Sequence, residues 1–371
     1  YWPEDSLDQP SKWNQVLSEG TWGKIPEISS VEQIGEMRWL LTTQNDFQIE
    51  AQILPLDLDG NGHRLAELSH SGLLHANGGV QHDGKDVILL YDHIVGSTDS
   101  STILLELLEQ GNIAKAEKLL NSIGMALGRF HTTAASFKVL PCNQKRWNDR
   151  LKKLEVSLNT NTLWRAPHSP ETRTTITHRN FSLDIVLVDD SEDIIISGTH
   201  DFILNSILGC EPRNPAIRDL AAGYVSLRST LHSGGFPEHE TRLRRALFQG
   251  WSSTCPPSIR SNRALDGHRG GVIIWEYERM LELKAESIAC GSKTEIHVDQ
   301  WLSEVTGIQA LMFTSRLWSA FSLLCFFAAG ILLFGSAWGI VSRFDLLFAP
   351  IFILMGFGFR WIYRSKAPSP F

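Results

Sequence analysis

From Leu317 to Val341 roughly 25 residues pass without a charge (LWSAFSLLCFFAAGILLFGSAWGIV), more than the roughly 20 an α-helix needs to cross the hydrocarbon core of a bilayer. No other feature constrains the chain as tightly. Trp318 and Trp338 stand near the two ends of this run, about one membrane thickness apart at the helical rise, where interfacial aromatics belong. A second run, Leu346 to Phe359, has roughly 14 uncharged residues, short for a span. Arg360 can snorkel, and Trp361 and Tyr363 can extend the run into the far interface. We expect a tight hairpin with spans at about 317–341 and 346–363 and a turn at Ser342 to Asp345. Arg316 before the first run, and Arg360, Arg364 and Lys366 after the second, place both ends in the cytoplasm by the positive-inside rule. The expected picture is a membrane protein whose large soluble domain is cytoplasmic. Its partners are the lipid bilayer and, by proximity, a membrane protein.

The 371 residues leave room for one two-lobed domain beside the hairpin. A net charge of -7 offers no basic surface for phosphate backbones, so nucleic acid is excluded as a partner. Five cysteines, Cys142, Cys210, Cys255, Cys290 and Cys325, are odd in number and scattered, with no zinc or disulfide spacing, which implies a reducing compartment. The sequence opens on Tyr1 rather than Met, which leaves an upstream piece open.

Residues 1–22 are polar and Trp-punctuated, and are expected to be an irregular lead-in. Val31 to Leu54 alternates apolar runs with a polar break at Gln44-Asn45-Asp46 and predicts an antiparallel hairpin; Asp86 to Val95 predicts another buried strand. A probable helix lies around Leu65 to Leu74. After Gly96 helical periodicity takes over at Ser101 to Glu109 and Ile113 to Thr132, where Leu119, Leu120, Ile123, Leu127 and Phe130 recur at three and four. Short strands return at Ile185 to Val188 and Ile194 to Ser197, and helices dominate from Arg218 to Glu286. The helix Val272 to Glu286 has an apolar face, for the core, and an acidic-basic one. The resulting class is α+β, with a small β-rich lobe at 23–96, a larger helical lobe at 97–310 and the membrane hairpin at 311–371.

Five short pieces then fall in one order: LLYDHIVG at Leu89 to Gly96, LGRFH at Leu127 to His131, His178-Arg179-Asn180 followed by Ile185-Val186-Leu187-Val188, His200-Asp201-Phe202, and Asp219-Leu220-Ala221. In this order they resemble the aminoglycoside and choline kinase-like phosphotransferase family, over roughly Val31 to Trp251. The family's catalytic loop reads H-G-D-x-x-x-x-N-I-L-V, followed by I-D-F or I-D-W and a later D-L-A. The resemblance implies a two-lobed protein kinase-like fold, with ATP and magnesium as cofactors. It also implies catalytic-loop positions at His178 and Asn180, and a metal-binding Asp at Asp201.

Phosphoryl transfer rests on a few charges: a Lys on the phosphates, an Asp orienting the acceptor hydroxyl, and an Asn and an Asp on the metal. Here Asn180 stands at the catalytic-base position, and an amide cannot act as a carboxylate base. Ile185 stands at the metal-binding Asn and offers no side-chain oxygen. The third strand carries Gln48, Glu50 and Gln52 but no lysine, which leaves Glu67, at the position of the helix Glu that pairs with that lysine, without its role. Three losses remove most of the electrostatic stabilisation of the reaction, and the sequence reads as a pseudokinase with a binding, scaffold or regulatory role. The alternative is an active atypical phosphotransferase on a lipid-linked or small-molecule substrate, with Asp184 brought to the metal beside Asp201. Asp57 to Gly62 opens like a calcium-binding loop, but its twelfth position is Leu68, with Glu67 one place early; a polar turn before a helix is the expected structure.

Overall fold

The alternation at Val31 to Leu54 becomes one half, β4-β3-β2, of a six-stranded antiparallel sheet in the order β1-β5-β6-β4-β3-β2. Its strands are β1 (Thr21–Trp22), β2 (Ile28–Gly35), β3 (Arg38–Thr43), β4 (Gln48–Asp59), β5 (Gly78–His82) and β6 (Lys85–Asp92). The computed structural model describes residues 7–18, 21–35, 38–59, 74–137, 139–160, 163, 173–197, 213–260, 271–289, 291, 293–339, 342 and 344–366. The turn between β3 and β4 is closed by the Phe47 carbonyl accepting from the Thr43 N–H at 2.9 Å, with Asp46 left-handed at φ 59°. β4 runs through Asp59, pairing Leu58 with Asp86 and Asp59 with Lys85, so the backbone at Asp57 is strand and not the expected turn.

Side chains alternate across a strand, and the two faces of this sheet bury different things. On one face Trp39, Leu41, Ile49, Ala51, Ile88 and Leu90 pack with Trp13, Val16 and Leu17 of helix α1 (Pro10–Leu17). The lead-in is therefore not irregular. Pro10 opens a short helix whose Trp13, Val16 and Leu17 recur at three and four, a pattern too brief to stand out from its polar surroundings. Asn14 fixes it to the sheet, its amide bracketing the backbone N–H and carbonyl of Ile28 at 2.8 and 3.0 Å. The other face carries Leu54, Leu89 and Tyr91 with Ala76, and Leu74 packs against them.

The Leu74 N–H donates to the Ile196 carbonyl at 2.6 Å and so joins this second face to the larger lobe. That lobe contains β7 (Thr98–Asp99), α2 (Ser100–Glu109), α3 (Ile113–Phe137), β8 (Leu140–Pro141), α4 (Gln144–Leu158), β9 (Arg173–Ile176), β10 (Val186–Val188), β11 (Ile194–Ile196), β12 (Arg213–Asn214), α5 (Ile217–Gly234), α6 (Glu240–Thr254), α7 (Pro257–Arg260) and α8 (Gly271–Ala289). Asp99 caps α2 by accepting the Thr102 N–H at 2.8 Å. α3 and α6 touch backbone to backbone: a Cβ added at Gly250 would lie 1.9 Å from the Asn121 carbonyl oxygen, so only glycine permits this approach.

The acidic-basic side of α8 is buried as well. Glu278 and Glu282 each take charge-assisted hydrogen bonds from Arg150 of α4 (2.8 and 2.7 Å) and Arg218 of α5 (3.2 and 2.7 Å), all four side chains almost fully enclosed. Burial raises the tendency of Glu282 to protonate, but the charges of Arg218, Arg150 and Arg279 outweigh it and hold its pKa below the ordinary value.

α9 (Ile296–Ala337) is one uninterrupted helix of 42 residues, about 63 Å long at 1.5 Å per residue. Its first turns put Val298, Trp301, Leu302, Val305 and Met312 into the larger lobe's core. The expected boundary at residue 310 thus falls inside a helix. Beyond it α10 (Phe348–Ser365) folds back on α9: the Ser322 hydroxyl donates to the Gly356 carbonyl at 2.8 Å, Phe326 covers Gly356, and Trp318 stacks on Phe359 at 5.5 Å. Both helices are long and apolar enough to cross a membrane, with Leu323, Leu324, Phe327, Phe334, Leu354 and Phe357 facing outward.

Candidate functional site

β9 delivers the chain to the loop Thr177 to Asn180, and one buried carboxylate shapes that loop. Asp219, in the first turn of α5, accepts the backbone N–H of His178 at 2.7 Å and that of Arg179 at 3.2 Å. A third donor is Nε2 of His131 at 3.0 Å. The indole Nε1–H of Trp251 donates to His131 Nδ1 at 3.0 Å; because an indole only donates, Nδ1 keeps its lone pair and Nε2 carries the proton. Burial pushes the Asp219 pKa upward, yet the hydrogen bonds it accepts from the His131 ring and the His178 backbone leave it below the usual 3.8. His131 and Asp219 thus hold the loop from beneath.

Arg179 sits at φ 70°, the left-handed region that favours glycine, and it occupies the position where the resembled family has Gly. The strain, about 1–2 kcal/mol for a side chain with a Cβ, is held by the two consecutive N–H groups fixed on Asp219. The His178 ring is fully buried, edge-on to Phe130 and Phe181, with Nε2 on the Ser197 carbonyl at 3.1 Å. It joins the loop to the end of β11 and presents no nitrogen to the surface.

Asn180, where the sequence reading expects the altered catalytic base, is half-buried, and its Oδ1 accepts from Arg279 Nη2 of α8 at 2.9 Å. This partner lies 99 residues away, and sequence reasoning missed it. Ile185 packs against the larger lobe's core, and its carbonyl accepts both the N–H and the hydroxyl of Ser197 at 2.8 and 3.0 Å. Its side chain is thus part of the packing. Asp184, one place earlier, is exposed to solvent. Asp201, His200 and Glu67 lie outside the described residues, as do Gly60, Asn61 and Gly62.

Among the described residues no group of three His, Cys, Asp or Glu side chains is placed to hold an ion. Phosphate is different. Arg38, the one basic residue in β2, β3 and β4, donates from Nε to Glu50 Oε1 at 2.7 Å and keeps half its side chain exposed.

No family profile matches the chain, and no curated protein matches it. Solved structures do. Glucosamine kinase in one crystal form aligns with a TM-score of 0.55 at 12% identity, covering 80% of this chain and 80% of that one. A glucosamine kinase in complex with glucosamine, ADP and inorganic phosphate aligns with a TM-score of 0.53 at 11% identity, over 79% and 96%. The fold is that of a kinase-like phosphotransferase. The two lobes agree with it, and the likeness at this identity is one of fold.

Proposed function

We propose that this chain is a membrane-anchored pseudokinase, a kinase-like domain held at the bilayer by the α9–α10 hairpin and kept for binding and for presenting a surface to a membrane partner. The observation that carries the reading is the engagement of Asn180. The group at the catalytic-base position is an amide tied to Arg279 beside the buried Arg150, Arg218, Glu278 and Glu282 cluster. A carboxylate poised to receive a proton would need an open approach and no fixed cation on its oxygen. The Asp219, His131 and Trp251 chain, which fixes the loop's shape from beneath, supports a fold kept for form while its chemistry has gone. The outward apolar faces of α9 and α10 support the anchor, and Arg316, Arg360, Arg364 and Lys366 support a cytoplasmic domain.

The test uses the full chain in membranes and in nanodiscs. The expected result is sedimentation with membranes, resistance to alkaline carbonate extraction, and no ATP hydrolysis or transfer with magnesium present. Turnover that disappears in Asn180→Ala would establish the active, lipid-linked or small-molecule phosphotransferase instead. Recovery in the soluble fraction would remove the anchor.

A further inference from the structure

We propose that Arg38 grips the polyphosphate of a nucleotide in the cleft, supplying from β3 the cation that β4 lacks. The inference rests on the cleft being retained for binding, and it adds the ligand class and the residue that selects it.

The register places Arg38. It lies opposite Gln52 of β4, which lies opposite Leu89 of β6, and Glu50 lies between Leu40 and Tyr91. Residues directly opposite one another share a face, so Arg38, Glu50 and Gln52 are on the side of Leu54, Leu89 and Tyr91, away from α1. That side meets the larger lobe: Leu74, packed on Leu54, Leu89 and Tyr91, is bonded to the Ile196 carbonyl. The residue that follows β11 is Ser197, whose carbonyl the His178 ring meets. Arg38 therefore stands on the interlobe face, on the strand next to the one where kinase-like folds place their phosphate-binding lysine.

The chemistry matches the place. A single oxygen, Oε1 of Glu50, receives both Nε and Nη2 of Arg38, and among the described residues no other acceptor reaches the guanidinium. Glu50 is 21% exposed and Arg38 51%, so the carboxylate fixes the fork while its outer edge remains open. A cation oriented by a carboxylate is the arrangement that active kinases build between a strand Lys and a helix Glu. Here both members lie within the sheet. Guanidinium stays charged at any working pH and meets phosphate oxygens in bidentate fashion. The rival explanation is an exposed cross-strand ion pair with no ligand, and such pairs contribute little.

The experiment measures binding of ATP, ADP and adenosine to the full chain in nanodiscs by titration calorimetry, without magnesium, with inorganic tripolyphosphate as competitor. We expect ATP to bind more tightly than adenosine and tripolyphosphate to displace it. Arg38→Ala should weaken ATP roughly 10- to 100-fold and leave adenosine unchanged, while Arg38→Lys, which keeps the charge but not the fork, should recover only part of the lost ATP affinity. An unchanged melting temperature in each variant excludes misfolding. Equal ATP affinity in wild type and Arg38→Ala would reduce the pair to a surface contact, and absence of any nucleotide binding would equally overturn the proposal. Neither result touches the pseudokinase reading, which falls on turnover or on loss of membrane association.

Discussion

Asp219 is the residue on which the site's shape turns. One carboxylate collects two consecutive backbone N–H groups and an imidazole N–H, all in the interior. Asp219→Asn replaces one acceptor oxygen by a donor facing these donors, and should cost about 2–4 kcal/mol in urea unfolding of the detergent-solubilised chain. The sign of its pH dependence follows from its pKa, which lies below the ordinary 3.8 in the folded state. Its contribution is complete above the unfolded value and is lost as pH falls through the folded one. Wild-type stability should therefore drop steeply below about pH 4, and the drop should be shallower in Asp219→Asn, as an acid series of melting curves would record. Asn180→Asp, by contrast, gains an ion pair with Arg279 at an existing 2.9 Å contact. It should keep or raise stability without producing ATP turnover, by itself or with Ile185→Asn. The identities of Asn180 and Ile185 were legible in the sequence. That Arg279 holds the first and core packing holds the second was not, because both depend on contacts across the fold.

At the scale of elements, the two most informative helices are ones whose periodicity was plain and whose surroundings were not. α8 reads as half apolar and half acidic-basic, which ordinarily means a solvated face. Its Glu278 and Glu282 instead meet Arg150 and Arg218, 128 and 64 residues away in the pairs Arg150 to Glu278 and Arg218 to Glu282. Glu282→Ala should leave two buried guanidinium groups short of a partner and cost about 3–5 kcal/mol by chemical denaturation, whereas a surface acid such as Glu238 should cost almost nothing. The contact of α3 with α6 is set by close approach at Gly250. Gly250→Ala should destabilise by at least about 1–3 kcal/mol, since the obstacle is backbone and cannot rotate away. The short α1 escaped the sequence reading for a related reason: its three apolar residues signal a helix only once the sheet face they cover is known.

At the scale of the molecule, α9 joins lobe and hairpin in one element. Because Trp301, Leu302, Val305 and Met312 belong to the lobe's core, a chain ended before Ile296 should aggregate, whereas one ended just after Thr314 should remain folded and lose membrane association. Size-exclusion elution and melting curves of the two truncations would check this. By itself the sequence determined the apolar hairpin, the alternation that makes the small lobe, the order of the kinase-like pieces and the identity of the altered positions. Those are properties of composition and local period, which a chain carries before it folds. Only the tertiary structure decided what Asn180 touches, which face of the sheet Arg38 shares with Glu50, and where α8's charges go. Each of these is a meeting of residues far apart in sequence, fixed by strand register or by burial, and neither is encoded in any short stretch.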